Sequence, residues 1–265
     1  MNAEVIKGKR AIAYFDILGF KEKVATLSID DLADSYTKLI HNTENYVYDK
    51  SSSRFLHKEI CKRFIFSDSL FIIAPDDTEE GFVELFSYAW RMMQIAIAMD
   101  FPLRGAITYG DIYVEPSKGI FIGEAIVNAA VWESKQDWIG AIVDESAVDR
   151  YQTVFEGNDS LHTIYQVLLP MYSVPLKNGI EEDHVVINWR INIISEHGIK
   201  SLFKYVGNNE SVKRKINNTL AFAKAVRKSQ IVYFNDEMVP ERYRRFYVAD
   251  HDPNQGLPQS NGDEY

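Results

Sequence analysis

The sequence predicts an α+β fold in which one sheet is covered by helices, and three observations lead to this prediction. Short runs rich in apolar and β-branched residues alternate with longer segments whose apolar residues recur at helical spacing. A small polar turn separates two such short runs at 63–73, which is typical of a hairpin. The chain of 265 residues, with 46% hydrophobic and 25% charged residues, is long enough for one well-buried core.

The first half of the chain contains the elements with the clearest patterns. The apolar and aromatic run at 10–17 is typical of a strand buried on both faces. Pro102 opens a later strand, and the pair Gly110-Asp111 predicts a turn into another short run and thus a hairpin. The predicted elements are a strand at 10–17, a helix at 30–48, a hairpin at 63–73, a helix at 81–99 and a strand at 103–109.

The second half is predicted from weaker patterns. Its elements are a helix at 122–134, strands at 140–143, 164–169 and 185–189, and a helix at 209–234. We expect a main domain at 1–205, a helical extension at 206–249 and a disordered tail at 250–265, which is rich in Pro, Asn, Gln, Gly and Asp. The basic residues of the last helix predict a solvated face.

Two aspartates are the strongest functional candidates. Asp16 lies near the end of an apolar strand, where a charge is unfavourable unless a cation meets it. Asp68 lies in the polar turn of the predicted hairpin. Two carboxylates brought together form the hard oxygen site that Mg²⁺ or Mn²⁺ prefers. An alternative interpretation of either residue alone is a turn or cap residue.

A phosphate-binding turn is predicted beside Asp16. Gly19 permits a tight turn after the strand, and the helical pattern that begins near Phe20 leaves free backbone N–H groups close to the aspartate. Such a helix N-terminus favours phosphate. The sequence contains no Walker-type GxxxxGK[ST] loop.

Four segments together resemble the class III nucleotide cyclases. AYFDILGF resembles their first metal-binding motif, FSDSLFII their acidic hairpin, PLRGAITYGD the strand and turn that follow, and FIGEAIVNAA the segment with their catalytic asparagine. The four occur in the family's order and cover roughly residues 10 to 145. The resemblance implies a palm-like, ferredoxin-like βαββαβ sheet, a head-to-tail homodimer and active sites at the subunit interface.

The resemblance also implies roles for individual residues. Asp16, Asp68 and the backbone carbonyl of Ile17 would hold two divalent ions, either Mn²⁺ or Mg²⁺. Asn128 of a second subunit would orient the ribose, whose 3′ oxygen attacks the α-phosphorus with loss of pyrophosphate. The nucleotide-contacting residues would be Phe15, Gly19, Phe20 and Phe64, with backbone amides of Gly19 and Phe20 on the triphosphate.

The sequence departs from the family pattern at three positions. Phe64 replaces the lysine that reads a purine base, and Ile120 replaces the polar residue that assists it. Trp132 replaces the transition-state arginine four residues after Asn128. Arg104 is the candidate cation that would substitute for it, and its alternative interpretation is an ordinary strand residue.

This combination is similar to the pyrimidine cyclases of bacterial Pycsar antiphage systems. That similarity implies conversion of UTP or CTP to the cyclic nucleotide, with UTP preferred, and a separate cyclic-nucleotide-responsive effector. Nothing in the residues distinguishes uracil from cytosine. The alternatives are an adenylate cyclase whose apolar pocket stacks on adenine, and a catalytically silent module that binds a nucleotide or a partner protein. A diguanylate cyclase is disfavoured, because FSDSL lacks the glycine pair of that family's turn.

Composition limits the partners and the compartment. A net charge of −9 disfavours nucleic-acid binding, which depends on Lys and Arg at the phosphates. The apolar stretches are shorter than the ~20 residues that cross a bilayer, so no membrane association is expected. The single cysteine, Cys61, fits a reducing compartment, and we expect a cytoplasmic protein. The six histidines are scattered, which disfavours zinc.

Overall fold

The computed structural model of the protein describes residues 5–47, 61–155, 168–190, 196–207 and 209–229. In the first half, the elements are β1 (Ile6–Ile17), α1 (Phe20–Thr26), α2 (Ile29–Val47), β2 (Lys62–Phe66), β3 (Ser69–Ile73), α3 (Glu79–Ala98) and β4 (Leu103–Glu115). A short 3₁₀ turn (Pro116–Lys118) leads to β5 (Ile120–Gly123), α4 (Glu124–Lys135), β6 (Gly140–Val143), α5 (Glu145–Arg150) and α6 (Gln152–Phe155). The remaining elements are β7 (Met171–Pro175), β8 (Glu181–Val186), α7 (Glu196–Ser201) and α8 (Glu210–Ser229).

The strands form one mixed sheet in the order β2-β3-β1-β4-β6-β8-β7, and β5 pairs with β4 beside that path. The neighbouring strands within β2-β3-β1-β4 are antiparallel to one another. Their order, with a helical crossover between β1 and β2 and another between β3 and β4, is that of a ferredoxin-like βαββαβ unit. Beyond it, β6 pairs with β4 in parallel, and β8 and β7 extend the sheet. The predicted α+β class, with additional C-terminal strands and helices, is confirmed.

Two layers of apolar residues cover the faces of the sheet. The larger core lies under α3, whose Phe82, Phe86 and Tyr88 are fully buried, and it includes Phe15 and Ile17 of β1. A smaller core on the other face includes Ile12 and Ala129 of α4. Because side chains of a strand alternate between faces, Asp16 lies on the α4 side, opposite the larger core.

Strand β4 corrects the predicted hairpin at Gly110-Asp111. The strand continues through this pair to Glu115, and Gly110 pairs with Arg10 of β1. The reason is that β1 begins at Ile6, earlier than predicted, and gives β4 a partner along its whole length. The following helix begins at Glu124 rather than at 122, because residues Ile120–Gly123 pair with β4.

The predictions for 164–189 were partly wrong. Residues 164–167 lie outside the described residues, and Leu168 and Leu169 are not in a strand. The predicted strand at 185–189 is instead β8, which ends at Val186. The segment Met171–Pro175, between the two predicted strands, forms β7, the edge strand. Proline is tolerated on an edge strand because it removes only an N–H group there.

Helix α8 confirms the predicted late helix over 210–229 and belongs to the larger core. Its Phe222 ring lies 4.7 Å from Trp138, 5.0 Å from Tyr172 and 5.6 Å from Trp189, measured between ring centroids. Residues 230–234 and the tail at 250–265 lie outside the described residues, and the domain boundaries remain predictions. Among the described helices, none combines the length and the apolar character that crossing a membrane requires.

Candidate active site

The sheet brings Asp16 and Asp68 to neighbouring positions. Asp16 pairs with Ser69 in the register of β1 and β3, and the Ile17 N–H donates a hydrogen bond of 3.0 Å to the Asp68 carbonyl. Asp68 follows Ser67, whose φ of 56° turns the backbone between β2 and β3. The predicted placement of Asp68 at the hairpin tip is therefore confirmed, and its backbone lies directly beside the end of β1.

Asp16 carries a charge that the fold does not fully neutralise. Its side chain is 23% exposed, and Arg104 Nη2 lies 4.0 Å from its Oδ2 atom. Burial, followed by the negative charges of Glu133 and Asp68, raises the pKa of Asp16 to about 6, although Arg104 and Lys177 act in the opposite direction. Of these five side chains, Asp16 included, three are acidic and two are basic, so negative charge is in excess.

Arg104 lies opposite Asp16 on β4 and is fixed by its own chain. Its Nε atom donates to Glu133 Oε1 at 2.6 Å, and Nη2 contacts the same oxygen. Its Nη1 atom donates to the Gln136 carbonyl at 3.0 Å. Both Arg104 and Glu133 are buried, so the guanidinium has a defined orientation. The predicted catalytic role of Arg104 would require it to reach substrate from this position.

The turn after β1 has the predicted form. Gly19 adopts φ 75° and precedes α1. A Cβ atom there would lie 2.9 Å from the Tyr205 carbonyl oxygen, so both the conformation and the space require glycine. The Phe20 ring packs edge-on against Tyr36, whose hydroxyl donates to the Ser67 carbonyl at 2.7 Å. The helices after β1 are thereby attached to the hairpin that carries Asp68.

The two predicted aromatic contacts have different settings. The Phe15 side chain is fully buried in the larger core, away from Asp16, so only its backbone faces the end of the strand. The Phe64 ring is half-buried and packs against Phe121 at 4.9 Å between centroids. Phe64 has no hydrogen-bonding group, as the replacement of a base-reading lysine implies.

Asn128 and Trp132 lie on α4. Asn128 is half-exposed. It precedes Glu133 by five residues, so the two side chains leave the helix in directions about 140° apart. Trp132 does not project freely, because its Nε1 atom donates to Asp144 Oδ1 at 3.0 Å and its ring contacts His184 at 4.6 Å. Trp132, at the position of the usual arginine, is therefore held by contacts with other residues of the same chain.

Sequence reasoning missed Glu133 and Lys177. Glu133 follows Ala125 and Ala129 at intervals of four, so a charge on the buried stripe of the predicted helix was the signal that could have revealed it. Lys177 lies in the turn after β7, and its N–H donates to the Lys135 carbonyl at 2.8 Å. Burial and the nearby Arg104 lower the pKa of Lys177. A lysine in a turn gave no signal.

The residues around Asp16 fit a divalent cation. Within the described residues, no group of three or more His, Cys, Asp or Glu side chains is arranged to hold a metal. Mg²⁺, however, is commonly held by one or two carboxylates together with water and substrate phosphates. Two neighbouring carboxylates with excess negative charge provide that donor set.

No protein-family model and no curated protein matches the sequence. Among solved structures, the chain is similar to the adenylyl cyclase CyaB from P. aeruginosa, with 13% identity, 73% of this chain and 100% of that chain covered, and a TM-score of 0.44. It is also similar to the catalytic core of a rhodopsin-guanylyl cyclase with converted specificity in complex with ATPαS, with 12% identity, coverage of 70% and 98%, and a TM-score of 0.45. A class III adenylyl cyclase-like ATP-binding protein from Pseudomonas aeruginosa matches with 14% identity, coverage of 58% and 38%, and a TM-score of 0.37.

Proposed function

We propose that this protein is a nucleotide cyclase that converts a nucleoside triphosphate to the 3′,5′-cyclic mononucleotide and pyrophosphate. The observation that carries the proposal is the placement of Asp16 and Asp68 at adjacent backbone positions, with negative charge in excess around Asp16. The motif resemblance over residues 10 to 145 and the ferredoxin-like order of the first four strands support it.

In this proposal the chain binds substrate at the end of β1. Asp16, Asp68 and the Ile17 carbonyl hold two Mn²⁺ or Mg²⁺ ions, which when bound neutralise charge on the attacking oxygen and on the leaving group. Backbone amides of Gly19 and Phe20 hold the triphosphate. Arg104 adds a fixed positive charge beside Asp16, in place of the transition-state arginine that Trp132 replaces.

The second half of each site comes from a partner copy. Asn128 orients the ribose bound to the other subunit, and the protein is a homodimer. The surface around Asn128 supports this arrangement, because Val127 and Val131 on the same helix are 60% and 43% exposed and Ile122 before it is 59% exposed. Exposed apolar side chains that cluster in this way are typical of a protein interface.

The base is proposed to be a pyrimidine, with UTP preferred over CTP. Phe64 packs on Phe121 where a purine cyclase would present a lysine, and the pair offers an apolar surface without hydrogen-bond donors. The cyclic product would act on a separate effector in cytoplasmic antiphage defence.

The apolar surface of Phe64 and Phe121 also favours a second candidate, an adenylate cyclase that stacks on adenine, because stacking does not depend on the base.

The test incubates purified protein and Mn²⁺ with ATP, GTP, CTP and UTP separately and identifies cyclic products by chromatography and mass. Asp68→Asn is compared with Asp111→Asn, which changes an exposed aspartate on β4. We expect a cyclic pyrimidine from wild type and Asp111→Asn, and none from Asp68→Asn. Cyclic AMP alone would establish the adenylate cyclase, and no cyclic product from any nucleotide would refute the cyclase in favour of a silent module.

Complementation tests the shared site. Chains that carry Asp16→Asn and chains that carry Asn128→Ala are coexpressed with different tags and purified through both. Each variant alone should be inactive, whereas the mixed dimer should recover about half of the wild-type activity, because one of its two sites is intact. A mixed dimer as inactive as its parents would show that Asn128 acts within its own chain or outside the site.

A further inference from the structure

Three charged side chains meet between β1, β4 and α4. Asp16 and Arg104 are opposite each other on the paired strands, and Glu133 of α4 contacts Arg104. The contacts of Arg104 with the two carboxylates are unequal. Arg104 directs both Nε and Nη2 to Glu133 Oε1, whereas its closest approach to Asp16 is 4.0 Å, beyond hydrogen-bonding distance.

The asymmetry determines which carboxylate Arg104 neutralises. Glu133 is buried and forms the short contacts, so the guanidinium of Arg104 is paired with Glu133. Arg104 makes no hydrogen bond to Asp16, because the shortest distance between the two side chains is 4.0 Å. A bound cation at Asp16 would therefore not have to displace a hydrogen-bonded arginine.

We propose that Glu133 is a positioning residue that holds Arg104 away from Asp16 and thereby keeps the Asp16 carboxylate available to a divalent cation. The inference rests on the proposed metal site and names a determinant of its affinity. Without the charge of Glu133, Arg104 is an uncompensated cation within reach of Asp16. Arg104 then pairs with Asp16 and repels the metal.

The test measures Mn²⁺ binding to the nucleotide-free protein from the electron paramagnetic resonance signal of free Mn²⁺. Glu133→Gln should weaken binding about tenfold, because one negative charge is lost near a partly buried divalent ion. The matched control is Glu124→Gln, which changes an exposed glutamate on the same helix and should leave binding unchanged.

The double variant Arg104→Gln/Glu133→Gln distinguishes positioning from a structural role. It removes one charge of each sign, so the net charge around Asp16 equals that of the wild type, and replacing a buried ion pair by neutral side chains is often tolerated. Mn²⁺ binding should return to within about threefold of the wild type. A double variant that binds as weakly as Glu133→Gln would overturn the inference, as would a Glu133→Gln variant that binds like the wild type.

Two further measurements keep the result interpretable. Thermal unfolding of each variant identifies loss of fold, and Glu133→Asp, which retains the charge, should bind Mn²⁺ more tightly than Glu133→Gln. Because Mn²⁺ binding is measured without nucleotide, the role of Glu133 can be supported even if the protein proves not to be a cyclase. A protein that cyclises nucleotides with unchanged Mn²⁺ binding in Glu133→Gln would support the function and refute the inference.

Discussion

Replacing Asp16 with asparagine should abolish cyclisation and, in the same protein, increase the free energy of unfolding measured without metal. The activity should fall about a thousandfold or more, because charge neutralisation by a metal ion contributes several kcal/mol to the transition state. The stability should rise because asparagine is not charged. In the proposed enzyme, the ionised form of Asp16 therefore serves function at a cost to the stability of the fold.

The sign of the stability effect follows from the pKa. Folding raises the pKa of Asp16 from 3.8 to about 6, so the stability that protonation supplies is fully present below about pH 4 and is lost as the pH rises through 6. The cost of the ionised form at pH 7.5 is about 2 kcal/mol, which allows for a side chain that is still 23% exposed.

Urea denaturation in EDTA at pH 7.5 and at pH 5 measures this cost. Asp16→Asn should be more stable than the wild type at pH 7.5, and the difference should shrink at pH 5. The exposed control Asp111→Asn should show no such change between the two pH values. An Asp16→Asn protein less stable than the wild type at pH 7.5 would contradict the conclusion that the ionised Asp16 destabilises the folded protein.

The second large effect is expected from Asp137→Ala, which should detach α8. Asp137 is fully buried, pairs with Arg214, and has its Oδ1 atom 3.2 Å from Lys215 Nζ. Its removal leaves the largely buried Lys215 ammonium without a carboxylate. Breaking a buried ion pair by removing one partner costs about 3 kcal/mol or more.

The measurement combines chemical denaturation with amide hydrogen exchange over residues 210–229. Asp137→Ala should lower the midpoint of unfolding and increase exchange in α8 more than in β1. The control is Glu210→Ala, which removes the exposed partner of Lys213 on the same helix and should cost below about 1 kcal/mol. Equal losses in the two variants would show that Asp137 does not attach the helix.

The basic residues of α8 illustrate what sequence alone could not provide. The helical spacing predicted the helix, because an apolar stripe identifies the face that is buried. The sequence also predicted a solvated basic face, but Lys215 and Arg214 turn to Asp137, a residue 77 positions before Arg214. Pairing over that distance depends on the assembled sheet, which no local pattern encodes.

The candidate site likewise has one part that was predictable from the sequence and one part that was not. Asp16 and Asp68 were each identifiable as candidates, since an acid at the end of an apolar strand and an acid in a polar turn are both local signals. The contact of Arg104 with Glu133 joins β4 to α4 and was not predictable from either segment. The fixed position of Trp132 depends likewise on Asp144, which follows β6.

Helix α4 has a consequence for how this protein can vary. Asn128 and Glu133 lie about 7.5 Å apart along one helix axis. Under the proposed dimer, the first serves the partner's site and the second serves its own. A substitution that tilts or rotates α4 therefore alters both catalytic centres of the dimer at once. Viable substitutions in this helix should then occur together with a second, compensating substitution. Natural variants that change the face of α4 packed on the sheet should also differ at Val127 or Val131.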